Sequence, residues 1–213
     1  MRGDGFLAIW SDVAAADETD YLHWLTREHA AERIGVEGFL GVRVFRALAH
    51  PLCRVLILYE LASPGALAGL PYLDRLNAPS PWSQRIMPIL KNFVRGGGRR
   101  TLSMGTGRGG YVAALARTEA LPDKRGIATA MAGQDRIAAV HVLETDLAKT
   151  AIATNEKKLR AQDQSFAALL LVEGLDQASI RRALAAVPQA LPHGTQAQDV
   201  ALYAYMFGLE KPG

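Results

Sequence analysis

Residues 20–47 read DYLHWLTREHAAERIGVEGFLGVRVFRA, and this stretch decides the fold. A helix over residues 17–34 carrying Trp24 and His29 runs into a strand over residues 38–47 that opens on Gly38-Phe39. Upstream, residues 5–13 (GFLAIWSDV) are short and rich in β formers, and Asp17 with Asp20 three residues later predicts a capped helix start. Downstream, the turn Ala49-His50-Pro51 leads to a strand over 53–61 (CRVLILYEL), giving a hairpin-like pair. Helical segments over 63–76 and 82–91, broken by Asn77-Ala78-Pro79-Ser80-Pro81, precede an extended stretch around 93–104. The order is βαββαβ.

The same order repeats after the link Gly105-Thr106-Gly107-Arg108-Gly109-Gly110. A strand over 111–117, a helix over about 121–132, strands over 135–145 and 165–173, a helix over 176–187 and a strand over 199–208 form the second copy. Residues 146–163 are left over, a surface helix or long loop inserted between its central strands. The division expected is 1–107 for the half with the Trp24/His29 helix and 108–213 for a diverged second half. Each βαββαβ unit makes an antiparallel sheet with two helices on one face. The other face also needs cover, because Phe6, Ala8 and Trp10 alternate with Leu7 and Ile9, and Phe166, Ala168 and Leu170 with Ala167, Leu169 and Leu171. The expectation is therefore an α+β protein whose two ferredoxin-like halves pack sheet to sheet within one chain.

Composition bounds the function. The 213 residues are 49% hydrophobic and 21% charged, which calls for a folded core, with formal net charge +3. The single cysteine, Cys53, lies in an apolar run, so neither a disulfide framework nor a cysteine-based metal site is expected, and a reducing cytoplasm fits. No apolar run reaches the roughly 18 residues of a membrane span, and the start MRGDGFLAIWSD has no secretory pattern. Membrane and nucleic-acid partners are not expected: the second half is charge-balanced and shows no recognition-helix or RNP-like pattern. Gly105–Gly110 satisfies GxGxxG, but a strand-like segment follows where a dinucleotide fingerprint needs a helix N-terminus. Arg95-Gly96-Gly97-Gly98-Arg99-Arg100 lacks the ending of a phosphate-binding P-loop and reads as a flexible or bulged strand entrance.

WLTREH, with Trp24 and His29, followed by VEGFLGVRVF, resembles the first helix and strand of the EthD-like group within the dimeric α+β barrel superfamily. In that group an aromatic residue and then a histidine precede a strand opening Gly-Phe or Gly-Leu. The resemblance covers the first half; the second matches in topology only and has no Trp-x4-His of its own. The stretch SPWSQRIMPILKNFVRGGGRR is also similar to a feature of that group and adds no nameable chemistry. The resemblance implies a paired ferredoxin-like barrel, a fold shared by cofactor-free oxygenases, cyclases, isomerases, heme proteins and ligand sensors.

On a regular helical wheel His29 falls between Leu22 and Leu25, on the face that packs toward the sheet. There it is either a hydrogen-bonded structural histidine or a pocket residue, and as a neutral imidazole it would abstract a proton. Trp24 lies about 140° from it and Tyr21 about 80°, which makes Tyr21 the nearer neighbour. Arg43 alternates with Phe39, Gly41 and Phe45 on one sheet face and needs an acid, Glu60 for instance, or a ligand anion. His141 alternates with Ala139 and Leu143 and also points indoors. No acid lies between Asp74 and Glu119, while Arg75, Arg85, Lys91, Arg95, Arg99, Arg100, Arg108 and Arg117 add eight positive charges. These either pair with acids of the first helix or the second half, or steer an anionic substrate.

The reading is a small-ligand-binding protein that needs no cofactor. As an enzyme it would be an oxygenase, cyclase or isomerase with His29 as base, Arg43 or Arg95 as anion partner, and Tyr21, Trp24 and His141 as ligand contacts. The alternatives are a non-catalytic ligand-binding or interaction module and a heme protein with an axial histidine. As a self-paired monomer or as a homodimer, it has a small molecule as its expected partner.

Overall fold

The computed structural model describes residues 1–160 and 162–212. Strand β1 (Gly5–Val13) is buried along its whole length, as two-sided apolar alternation requires. After it come a 3₁₀ turn at Ala15–Asp17, α1 (Glu18–Trp24), a π turn at Leu25–His29 and α2 (Ala30–Ile34). Next are β2 (Phe39–Ala47), β3 (Cys53–Leu61), α3 (Leu70–Asn77), α4 (Pro81–Ile86) and β4 (Lys91–Met104). The second set is β5 (Tyr111–Arg117), α5 (Lys124–Ala132), β6 (Ile137–Thr145), α6 (Leu147–Ala151), α7 (Asn155–Lys158), β7 (Ala168–Gly174), α8 (Gln177–Ala186) and β8 (Leu202–Glu210).

The eight strands close into one barrel in the order β1-β3-β2-β8-β5-β7-β6-β4. Each set keeps the ferredoxin-like order, β4-β1-β3-β2 and β8-β5-β7-β6. Their edges join antiparallel, β2 to β8 and β4 to β6. The two sheets thus do more than face each other: closure leaves no free edge. Phe6, Trp10, Phe45, Leu58, Leu171 and Tyr203 fill the barrel. One outer core lies between the first sheet and its helices, with Trp24, Leu25, Tyr59 and Tyr72, and a second lies under α5 and α8.

The run Arg95-Gly96-Gly97-Gly98 is not a strand entrance. It sits within β4, where the strand passes from pairing with β1 to pairing with β6, and Gly98 faces both Phe6 and Thr145. A Cβ at Gly96 would stand 2.4 Å from the Phe166 ring, and one at Gly98 2.1 Å from the Glu144 carbonyl oxygen. Close approach of ring and backbone, rather than flexibility, requires glycine here. The capping expectation for Asp17 also fails: its side chain caps nothing, because the 3₁₀ turn before it leads straight into α1. A bulge between Phe39 and Gly41 turns Phe39 onto the helix side, so it does not share a face with Arg43.

Candidate functional site

The first helix meets the sheet through its π turn. An i→i+5 turn brings residue 29 over residue 24, and the imidazole of His29 packs on the Trp24 indole with ring centroids 4.2 Å apart. The regular wheel, which set Trp24 aside in favour of Tyr21, is corrected by that local geometry. Tyr21 lies beyond Trp24, at 5.9 Å, with its hydroxyl 3.1 Å from Ser11 Oγ. The indole N–H of Trp24 donates to Ser83 Oγ at 3.1 Å, and Ser83 N donates to Ser80 Oγ. The SPWSQRI stretch therefore has a physical role: it caps α4 and holds Trp24.

His29 is buried, and its Nδ1 has no hydrogen-bond partner among the described residues. Burial, followed by the charges of Arg33 and Arg160, holds its pKa well below the usual histidine value, so the ring is neutral at pH 7. Two small chambers adjoin it, each of about 20 Å³, enough for about one water. Tyr21 and Trp24 line one chamber; Arg33, Tyr59, Tyr72 and Arg95 line the other. Arg33 Nη1 and the Tyr59 hydroxyl are also without hydrogen-bond partners among the described residues. Burial raises the Tyr59 pKa far above its ordinary value, which keeps the phenol protonated and able to donate. A buried, unpaired imidazole nitrogen thus shares a chamber with two buried donors.

The described residues of the insertion, 146–160 and 162–163, cover this place. The insertion leaves the second half between β6 and β7 and crosses onto the outer face of the first. Thr150 Oγ1 lies 3.2 Å from both Gly97 N and Gly97 O, and Asn155 bonds Asn77. Glu156 pairs with Arg33, and Arg160 pairs with Asp163 at 2.7 Å while lying 4.0 Å over the Phe93 ring. Outside these contacts a cleft of about 510 Å³ opens, sharing Arg95, Lys157 and Arg160 with the inner chamber.

Arg43 and His141 are elsewhere, inside the barrel. Arg43 forms a two-pronged pair with Glu173 at 2.8 and 2.8 Å, and its Nε is 3.7 Å from Glu60. Glu60 is therefore the lesser partner, and a strand of the other half supplies the main one. Ser103 Oγ lies 2.7 Å from His141 Nδ1; His141 Nε2 is 3.2 Å from Glu173 Oε1 but off the line of a good hydrogen bond. Burial lowers the pKa of His141 despite that carboxylate. A second cleft, of about 300 Å³, borders Arg43, Arg108 and Glu210, and there each guanidinium already meets a carboxylate. The structure brings His29, Trp24, Tyr21 and Arg95 together and leaves Arg43 and His141 apart from them.

No protein-family model and no curated protein matches the sequence. Solved structures do match in shape over nearly the whole chain. An anthrone oxidase-like protein superposes with a TM-score of 0.61 at 9% identity, covering 100% of this chain and 95% of its own. A candidate monooxygenase from Fusobacterium nucleatum subsp. nucleatum gives 0.57 at 13% identity, covering 100% and 97%. A candidate chlorite dismutase gives 0.55 at 11%, covering 97% and 96%. The fold is that of the dimeric α+β barrels. Identities this low carry the barrel architecture and nothing of its chemistry.

Within this barrel neither His29 nor His141 has room for a heme. The 510 Å³ cleft is lined by no histidine, the chambers beside His29 hold about 20 Å³ each, and His141 is wedged between Ser103 and Glu173. Arg33, Tyr59, Glu156, Lys157 and Arg160 are site-lining residues that sequence reasoning missed. Arg33 had a signal, lying four residues after His29 on the same helix face; the insertion residues had none, since their partners are remote in the chain. Of the basic run, Arg75 and Arg85 reach Glu32 and Asp20 of the first helix, and Arg108 reaches Glu210. Arg95 reaches no acid among the described residues.

Proposed function

We propose that this protein binds a small organic molecule between the first helix and its sheet, and that His29 acts there as a proton-abstracting base. The observation that carries the reading is the neutral, unpaired Nδ1 of His29, buried beside two unsatisfied donors. A carbon acid or phenol presented to Nδ1 would lose its proton to the imidazole. The resulting enolate or phenolate would accept from the Tyr59 hydroxyl and the Arg33 guanidinium, an arrangement that favours the charged transition state. Oxygenation, cyclisation and isomerisation of such substrates all begin with that step and need no cofactor to reach it. The stacked Trp24 supplies an apolar wall. The Trp24/His29 helix and Gly38-Phe39 strand also support placing the chain with the EthD-like group.

Entry to the chambers requires the insertion to move, since about 20 Å³ admits no organic substrate. The test is mass spectrometry of small molecules extracted from purified wild-type protein and from His29→Ala and His29→Asn variants of matched stability. A compound carried by the wild type and lost or chemically altered in the variants supports the reading. The same compound bound unchanged, with equal affinity, by all three would refute the role of His29 and favour a ligand-binding module without catalysis.

A further inference from the structure

Arg95 is 6% exposed, yet among the described residues its guanidinium meets only neutral groups: Tyr72 Oη at 3.1 Å and the Thr150 carbonyl at 3.4 Å. Lys157, which borders the same cleft, donates among the described residues only to the carbonyls of Thr150 and of Ile152, the latter at 2.8 Å. The neighbouring acids are already engaged, Asp163 by Arg160 and Glu156 by Arg33. A buried cation without a counter-charge is costly, and two that repel each other cost more. Lys157 records that cost: burial first and then Arg95 bring its pKa down to about 8, against the opposing pull of Asp163. The other buried guanidiniums, Arg33, Arg43 and Arg160, all have carboxylates. Arg95 and Lys157 both line the 510 Å³ cleft and the His29 chamber, so two cations without a carboxylate of their own stand where the two spaces meet.

We infer that Arg95 and Lys157 form an anion-binding subsite, and that the ligand is an aromatic or aliphatic carboxylic acid whose charged end seats in the cleft while its apolar part faces the His29 chamber. The inference deepens the proposed function and rests on it for the placement of the apolar part. The fork of Arg95 suits a planar carboxylate, and Lys157 supplies a second donor. Gln162, Gln164 and Ser165 add neutral polar groups to the cleft wall, and its one carboxylate, Asp163, is held by Arg160. The carbonyls of residues 150 and 152 now occupy these donors, so an anion would take their place and loosen the insertion where the chamber must open.

The test is calorimetric titration of the full chain with 2-naphthoate and with its neutral analogue 2-naphthamide, with the His29 imidazole followed by ¹⁵N NMR. Naphthoate is expected to bind roughly ten- to a hundredfold more tightly than naphthamide. Arg95→Met and Lys157→Met should each remove most of that preference, and Arg95→Lys should retain part of it. Equal affinity for the two probes, a preference unchanged in Arg95→Met, or no naphthoate binding would overturn the subsite. The wild-type comparison and Lys157→Met keep the test valid should Arg95→Met fail to fold. Equal affinities accompanied by a shifted His29 signal would overturn the subsite alone. Arg95-dependent naphthoate binding with an unmoved His29 would support the subsite and count against the His29 chamber.

Discussion

Replacing Glu173 by Gln should destabilise the barrel by about 3 kcal/mol, because it takes from the buried Arg43 guanidinium its two-pronged partner and leaves only Glu60, 3.7 Å from Nε. The magnitude can be worked a second way from the carboxyl itself. Burial alone would raise its pKa, but the two hydrogen bonds from Arg43, with the close approach of His141, more than reverse that and bring it from 4.5 to about 2. A shift of that size is worth about 3 kcal/mol, and no discount for solvent applies because Glu173 is 0% exposed. The sign follows from the lowered value: the stabilisation is present above the unfolded pKa near 4.5 and is lost as pH falls toward 2. Urea unfolding of wild type and Glu173→Gln at pH 7 and at pH 3 checks both statements. The gap between the two proteins should be wide at pH 7 and narrower at pH 3. The double variant Arg43→Met/Glu173→Met should recover most of the loss, since removing both charges leaves neither uncompensated. A loss below about 1 kcal/mol at pH 7, or a gap that does not shrink in acid, would refute the view that this pair clamps β2 to β7 across the barrel.

Gly98→Ala should cost about 3 kcal/mol or prevent folding, because its Cβ meets the backbone of residues 144–146 at 2.1 to 2.9 Å, whereas Gly110→Ala, with nothing within 4 Å, should be nearly neutral by thermal melting. His29 and His141 are both held neutral by burial, so the unfolded chain takes up their protons first and stability should fall as pH drops below about 6.5, by up to about 1.4 kcal/mol per unit for each ring; urea midpoints from pH 7 to 5 should show a shallower decline in His29→Asn. Glu156→Gln should weaken the tie to Arg33 and speed amide hydrogen exchange at 146–160 while exchange in β1 and β3 stays unchanged. Affinity for naphthoate should fall as pH rises from 7 to 9, since Lys157, held near 8 by burial and by Arg95 and Arg160 against Asp163, loses its charge over that range.

The order of elements was legible because apolar alternation marks strands directly: β3 at 53–61 and β5 at 111–117 fall where the pattern places them. Full burial of β1 and β7 was legible for the same reason, since both of their faces are apolar. The π turn was not, because a wheel assumes one regular period and a local i→i+5 turn rotates everything after it. The bulge at Phe39 and Gly41 escaped for a like reason, shifting the period-2 register by one residue. Partners were the least legible part. Arg43 and Glu173 are 130 residues apart, and Arg33 and Glu156 are 123 apart. Periodicity describes which face a side chain takes; it carries nothing about which remote acid closure of the barrel will bring to it. The insertion looked like surface decoration for the same reason, though it covers the candidate site from the opposite half.

On the proposed function, His29 is a neutral, unpaired base in a chamber that a small ligand can reach. A ¹⁵N NMR titration of the imidazole from pH 8 to 5, with and without 2-naphthamide, tests it most directly. The ring is expected to stay neutral throughout, with one nitrogen keeping the shift of an unprotonated, non-bonded acceptor until the ligand moves it. A ring that titrates near 6.5, or whose unprotonated nitrogen proves hydrogen-bonded and unresponsive to the ligand, would contradict it and make His29 a structural residue.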